Sequence, residues 1–218
     1  MDIRVERSQT LPTETIQTLY ELFDAGYKDA DLSYLDKAIE TFRYVAIAEE
    51  DGELVGFSFG DSLLKELPQM EGEQAIALPG LACVSANIRQ QGFFKQLTLA
   101  AIGAGEGVDG KRPFLFAGRM AHPITYRAVA ANFDSTVPSV SKPITGWHQE
   151  VAEVVGGLLG SSVDLDTFVV KGAGKPVGYP RLEYEATAEE LAVFEQVNRD
   201  QGDSLLAMCW MPVAPAGW

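Results

Sequence analysis

The most chemically specific stretch of this chain is Arg89-Gln90-Gln91-Gly92-Phe93-Phe94-Lys95. It follows a strand-like run ending in Cys83-Val84. It opens a segment in which Phe93, Leu97, Ala100, Ala101 and Ala104 share one helical face. A helix that starts at a glycine just after a strand presents first-turn N–H groups without intrahelical acceptors, and its dipole adds partial positive charge. Gly92 lets a ligand approach the backbone, and Arg89 and Lys95 add cationic side chains. The combination suits an anion, and a diphosphate is the natural occupant.

Other chemistry is sparse. Gly105-Glu106-Gly107-Val108-Asp109-Gly110-Lys111 has the spacing of a phosphate loop, but Arg112 stands where a Mg²⁺-binding hydroxyl belongs. The stretch also follows a helix and precedes a strand, the reverse of the order that such a loop needs. Gly172-Ala173-Gly174 runs into Lys175-Pro176, which cannot open a phosphate-binding helix, so both stretches read as connections. Cys83 and Cys209 form no disulfide framework and fit no zinc spacing, and His122 and His148 make no paired-histidine motif. No metal is expected, although a carboxylate-only site stays open.

The elements that must position the loop are legible from periodicity. The chain has 218 residues, and 17 Lys+Arg against 31 Asp+Glu give a net charge of −14. That balance argues against general nucleic-acid binding, which draws on basic residues, and fits either attraction of cations or plain solubility. With 46% hydrophobic and 22% charged residues the composition is globular. No apolar run reaches the ~18 residues of a membrane span, and Met1–Glu6 lacks a signal-peptide pattern, so no membrane partner and a cytoplasmic location are expected.

Ile3 and Val5 suit an opening strand, Thr13 to Gly26 a helix, and Ser33 to Phe42 a second one. Asp51-Gly52 between Tyr44–Ala48 and Leu54–Phe59 predicts a hairpin. Gln74–Val84 predicts a strand disturbed by Pro79-Gly80, and Gly92–Ala104 the motif helix. Phe114–Ala117 predicts a strand, and Pro123 opens a helix to about Asn132. Beyond it come a strand at Val137–Val140, a helix at Trp147–Leu159 and a strand at Val163–Val170. A capping box at Thr187–Glu190 opens a helix through Val197, and Leu205–Val213 forms the last strand.

The loop and the order of elements around it resemble the GNAT superfamily of acyl-CoA-dependent N-acyltransferases. Arg89-Gln90-Gln91-Gly92-Phe93-Phe94 fills that family's [RQ]-x-x-G-x-[GA] frame, with Val84 and Leu97 at its apolar positions. His122-Pro123-Ile124-Thr125-Tyr126-Arg127-Ala128 resembles the family's N-P-x-x-Y-R-A helix opening, with His122 in place of Asn. The chain departs from the pattern at three points. Phe94 stands where Gly or Ala is preferred, Leu78–Cys83 lacks the family's glutamate, and Ala128 lies near the place of its acid tyrosine. The resemblance covers about residues 2–140.

It implies an α/β fold, a mixed and centrally splayed sheet with helices on both faces. Residues 1–140 would form the acyl-CoA-binding core, and 141–218 an elaboration that includes the last strand. It implies that Cys83, Val84, Arg89, Gln90, Gln91, Gly92, Phe93, Phe94 and Lys95 border acetyl-CoA or another acyl-CoA. Transfer of an acetyl or short acyl group to a small-molecule amine by direct attack would follow. Tyr126 is then the replacement acid, or else a packed helix tyrosine, and His122 is a base or a helix cap. Cys83 is an acyl acceptor or a buried core residue. Asp24 and Asp31, with Glu21, Asp29 and Asp36, border the acceptor region and suit either an ammonium or a solvated helix face. Acyl-CoA binding without transfer, as a sensor or partner-binding module, and another acyl-CoA reaction such as decarboxylation are the alternatives. The oligomeric state is left open.

Overall fold

The computed structural model describes residues 1–89 and 91–218. In chain order, the first half holds β1 (Asp2–Arg7), α1 (Thr13–Gly26), β2 (Tyr27–Lys28), α2 (Ser33–Thr41), β3 (Tyr44–Glu50), β4 (Glu53–Glu66), β5 (Glu73–Val84) and α3 (Phe93–Gly103). The second holds β6 (Phe114–Met120), α4 (Pro123–Ala130), α5 (Gly146–Leu158), β7 (Val169–Val170), β8 (Tyr179–Pro180), α6 (Ala188–Val193) and β9 (Ser204–Met211). The fold is α/β, with a seven-stranded mixed sheet in the order β1-β3-β4-β5-β6-β9-β7 and a separate β2-β8 pair.

Two compact units interleave along the chain: residues 1–63, 77–109 and 177–182 form the first, and residues 64–76, 110–176 and 183–218 the second. In the first, β1-β3-β4 is antiparallel, and the β3–β4 turn places Asp51 at φ 52° and Gly52 at φ 84°. Those angles are what an Asp-Gly hairpin requires. β3 alternates strictly between two faces. Val45 and Ile47 pack with Leu19 and Phe23 of α1 and Leu35 of α2, while Ala46 and Ala48 pack with Leu97 and Ala101 of α3. Helices therefore cover both faces, and each fully buried Leu or Phe contributes about 1.5–3 kcal/mol.

Glycines set the closeness of this packing. A Cβ on Gly56 would stand 3.0 Å from Leu97 Cδ1, and one on Gly60 3.1 Å from the Ala101 Cβ. A Cβ on Gly80 would come within 2.6 Å of the Phe42 ring, so the expected disturbance at Pro79-Gly80 is a close approach inside a continuous strand. Arg43 ties this unit together by donating to Asp61, Glu106 and the Ser62 carbonyl.

In the second unit β6 pairs antiparallel with β9, from Phe114↔Met211 to Met120↔Leu205, and β7 pairs with the other edge of β9. α5 buries Val151, Ala152 and Val155. Trp218 stands edge-on to Trp147, His148 and Trp210 at 5.4, 4.7 and 5.9 Å, and its indole N–H donates to the Ser135 carbonyl.

Several expected elements are shorter than their sequence patterns. Val137–Val140 is no strand and keeps only isolated bridges, Val137↔Met208 and Ser139↔Lys142. The run Val163–Val170 shrinks to β7, because the Asp164 carboxylate accepts the Asp166 and Thr167 N–H groups and folds the chain into a turn. The capping box at Thr187 and Glu190 is present, but its helix stops at Val193. β4 extends well beyond Phe59, since its residues stay buried through Ser62.

Candidate functional site

Gly92 is the hinge of the loop in the first unit. It takes the left-handed conformation, φ 83° and ψ 0°, as the N-cap of α3, and among the described residues no side chain caps the helix. The first intrahelical bond is Gln96 N–H to Gly92 O at 3.2 Å, so the N–H groups of Phe93, Phe94 and Lys95 precede the ladder. A Cβ at Gly92 would meet no heavy atom within 4 Å, which leaves the backbone open on that side. Phe94 is 41% exposed, and Lys95 is exposed. Phe93 packs against the cluster of Val84, Ile88 and Leu97.

The approach to the helix is fixed from below. The Ser85 N–H donates to Val55 O at 2.8 Å, a short 3₁₀ turn spans Ala86–Ile88, and Ile88 is buried beside Val84. Gln91 donates to the Asn87 carbonyl at 3.2 Å. The Arg89 guanidinium donates through Nε to the Val84 carbonyl at 3.0 Å and through Nη1 to the Arg181 carbonyl. Gln90 lies outside the described residues.

Cys83 is 4% exposed, its Sγ donates to the Leu22 carbonyl at 3.4 Å, and burial pushes the thiol up to about 11. Asp24 is exposed on α1. Asp31 serves α2, its Oδ1 accepting from the Ser33 N–H at 3.1 Å and the Ser33 hydroxyl at 2.7 Å.

His122 and Tyr126 belong to the second unit. His122 is the N-cap of α4, and its Nδ1 accepts the Ile124 N–H at 3.1 Å. That bond places the proton on Nε2, and burial, reinforced by Arg199, lowers the imidazole to about 4. The ring is neutral near pH 7, and in this tautomer its one lone pair is spent on the cap. Tyr126 is buried, and its hydroxyl donates to the Pro138 carbonyl at 2.9 Å. Its ring meets Phe194 edge-on at 6.1 Å. Burial, then Glu189 and Glu190, raise the phenol to about 12, so it holds its proton.

Two features escape inspection of the sequence. The first is the Val177–Leu182 segment, which joins the first unit through β8 paired with β2. The second is a charged cluster in the second unit. Glu190 is 5% exposed and takes the Arg127 guanidinium through both oxygens, the Tyr184 hydroxyl at 2.6 Å and the Thr187 N–H at 2.8 Å. Arg127 holds its carboxyl down at about 2, and Arg127 also stacks 4.4 Å over the Tyr184 ring. Arg127, Tyr184 and Thr187 line an open depression of about 510 Å³ with Glu183, Glu185 and Ala186. The capping box was the visible trace of this cluster; the Arg127 pairing spans 63 residues and had none.

Among the described residues no group of His, Cys, Asp and Glu could hold a metal ion, and no helix is long and apolar enough to cross a membrane. No family model matches the chain, and no curated protein matches it. Solved structures do. A ribosomal-protein-alanine N-acetyltransferase from Escherichia coli is 10% identical, with 100% of this chain and 99% of that one covered and a TM-score of 0.41. Diaminobutyrate acetyltransferase from Paenibacillus lautus, in complex with diaminobutyric acid and coenzyme A, is 16% identical, with 99% of each chain covered and a TM-score of 0.43. A GNAT-family N-acetyltransferase from Escherichia coli in complex with CoA is 15% identical over 60% of this chain and 65% of that one, with a TM-score of 0.40. At these values the likeness is one of general chain path, and it assigns no ligand, acceptor or residue role.

Proposed function

We propose that the chain binds CoA or a short acyl-CoA with its diphosphate on the first-turn N–H groups of α3, and that it transfers the acyl group to an amine of a small molecule. The observation that carries this reading is the uncapped helix start. A left-handed Gly92, clear space at its Cβ position and the Phe93, Phe94 and Lys95 N–H groups ahead of the ladder support an anion site of the kind the sequence motif implies. Phe94 contributes its backbone N–H, and its bulky side chain is partly exposed. Direct attack needs no acyl-enzyme, which accords with a Cys83 that is buried and protonated. The chain then has to orient the amine and thioester and supply a proton to the leaving thiolate. Tyr126, the acid expected from the sequence, is neutral at physiological pH, and release of its proton requires the bond to Pro138 to be exchanged.

One observation favours a second reading, acyl-CoA binding without transfer. Both side chains offered as acid and base are committed, His122 to the α4 cap and Tyr126 to a backbone carbonyl. A single experiment separates the two. The purified protein is titrated calorimetrically with CoA and then incubated with acetyl-CoA and a panel of small amines, with free thiol and acylated product both measured. Binding with product supports transfer, binding without product supports the second reading, and absence of binding removes both.

A further inference from the structure

The Val177–Leu182 segment is pinned to the α1–α2 connection of its own unit by backbone contacts. The Val177 carbonyl accepts the Asp31 N–H at 3.2 Å, and the Arg181 N–H donates to Gly26 O at 2.9 Å. Arg181 Nε donates to Tyr27 O at 3.1 Å, and Tyr179–Pro180 pairs with Tyr27–Lys28. Gly178, at φ 117°, lies so close that a Cβ would stand 3.0 Å from the Ala30 Cα. A pair of two-residue strands has little stability of its own, so the order of this strap depends on its attachments. Arg89 is one of them, and it reaches the strap from the loop that opens α3.

We propose that Arg89 is a positioning residue that latches the strap, and with it the α1–α2 connection, to the α3 loop. Occupation of the α3 N-terminus by the diphosphate of CoA then slows opening of the strap. The ligand in this proposal rests on the function proposed above; the latch does not. The guanidinium is a rigid fork, and two of its five N–H donors go to carbonyls of different segments, Val84 at the end of β5 and Arg181 in the strap, so it bridges the two. Arg89 precedes Gly92 by three residues, so the latch and the helix start belong to one short loop. A ligand that prefers the latched state raises its population by the ratio of its affinities for the two states. The segment so restrained carries Asp31, one of the acids marked in the sequence for acceptor recognition.

Hydrogen exchange on the full-length protein tests this at the Arg181 and Asp31 amides, both of which are bonded between strap and connection. Without ligand, Arg89→Ala speeds exchange at both by about tenfold or more, the factor expected for loss of a charge-assisted hydrogen bond, and the Leu97 and Ala101 amides keep their wild-type rates. With CoA at saturation the wild-type strap slows about fivefold or more, whereas the strap of Arg89→Ala does not slow even though calorimetry shows CoA bound. Arg89→Lys, which keeps the charge and loses the fork, falls between, and it carries the test if the alanine variant does not fold. Wild-type strap rates in the ligand-free variant overturn the latch, and CoA protection that persists in the variant overturns the coupling. If CoA does not bind wild type, the coupling falls with the proposed function, and the ligand-free comparison alone decides the latch.

Discussion

Replacing Gly92 with asparagine and with aspartate separates shape from charge at the α3 N-terminus. Both residues enter the left-handed region more readily than other side chains, and a Cβ at this position meets no atom within 4 Å. Holding φ at 83° costs either variant about 1 kcal/mol, and relative to glycine a side chain that caps the first turn returns only about a few tenths of a kcal/mol. The two proteins then differ by one negative charge. At about 6 Å from a phosphate, that charge repels each unit of ligand charge by about 0.7 kcal/mol in water and about 2.8 kcal/mol at an effective dielectric of 20. Gly92→Asp should therefore bind CoA about 1–3 kcal/mol more weakly than Gly92→Asn, roughly 5- to 150-fold. Stability without ligand runs the other way, because the aspartate gains about 0.3–1 kcal/mol from the helix dipole. Calorimetric titration with CoA and urea unfolding measure the two effects. The affinity gap should narrow as salt shortens the Debye length from about 30 Å at 0.01 M to about 8 Å at 0.15 M. Equal CoA affinities for the two variants at low salt would refute the anion site.

Tyr126→Phe removes the donor to the Pro138 carbonyl, so it should cost about 1–3 kcal/mol in urea unfolding; if the phenol is also the acid, turnover falls about 10²–10⁴-fold with CoA affinity unchanged. Unaltered turnover with acetyl-CoA would take Tyr126 out of the reaction. His122, lowered to about 4 in the folded chain against 6.5 in the unfolded one, contributes stability that is complete above pH 6.5 and lost as pH falls towards 4. His122→Asn keeps a capping side chain, so unfolding between pH 6.5 and 4 should lose about one proton of its pH dependence, the slope that remains coming from groups such as His148. A fragment ending at Val140 loses β9, the antiparallel partner of β6 from Phe114 to Met120, and should be insoluble or unfolded. Sedimentation showing a soluble, CoA-binding 1–140 fragment would contradict that.

Short-range signals carried what was legible without coordinates. The period of Thr13–Gly26, the Asp51-Gly52 turn, the glycine start of α3 and the capping box at Thr187 and Glu190 each depend on residues within a few positions of one another. Backbone dihedrals and the spacing of apolar side chains decide such features locally, so composition and order are enough to reveal them. The open helix start was readable for the same reason. The partners of the side chains in and around the candidate sites were not. Arg89 finds the Arg181 carbonyl 92 residues away, Tyr126 finds Pro138 O, and Arg127 finds Glu190 across 63 residues. The shortening of Val163–Val170 to two strand residues was instead local, since the Asp164 carboxylate takes the Asp166 and Thr167 N–H groups in a turn that the alternating pattern hid. Hydrogen bonds between distant segments leave no periodic trace, because any donor of the right reach would serve. Which carbonyl or carboxylate stands opposite is settled only when the sheet and helices have packed.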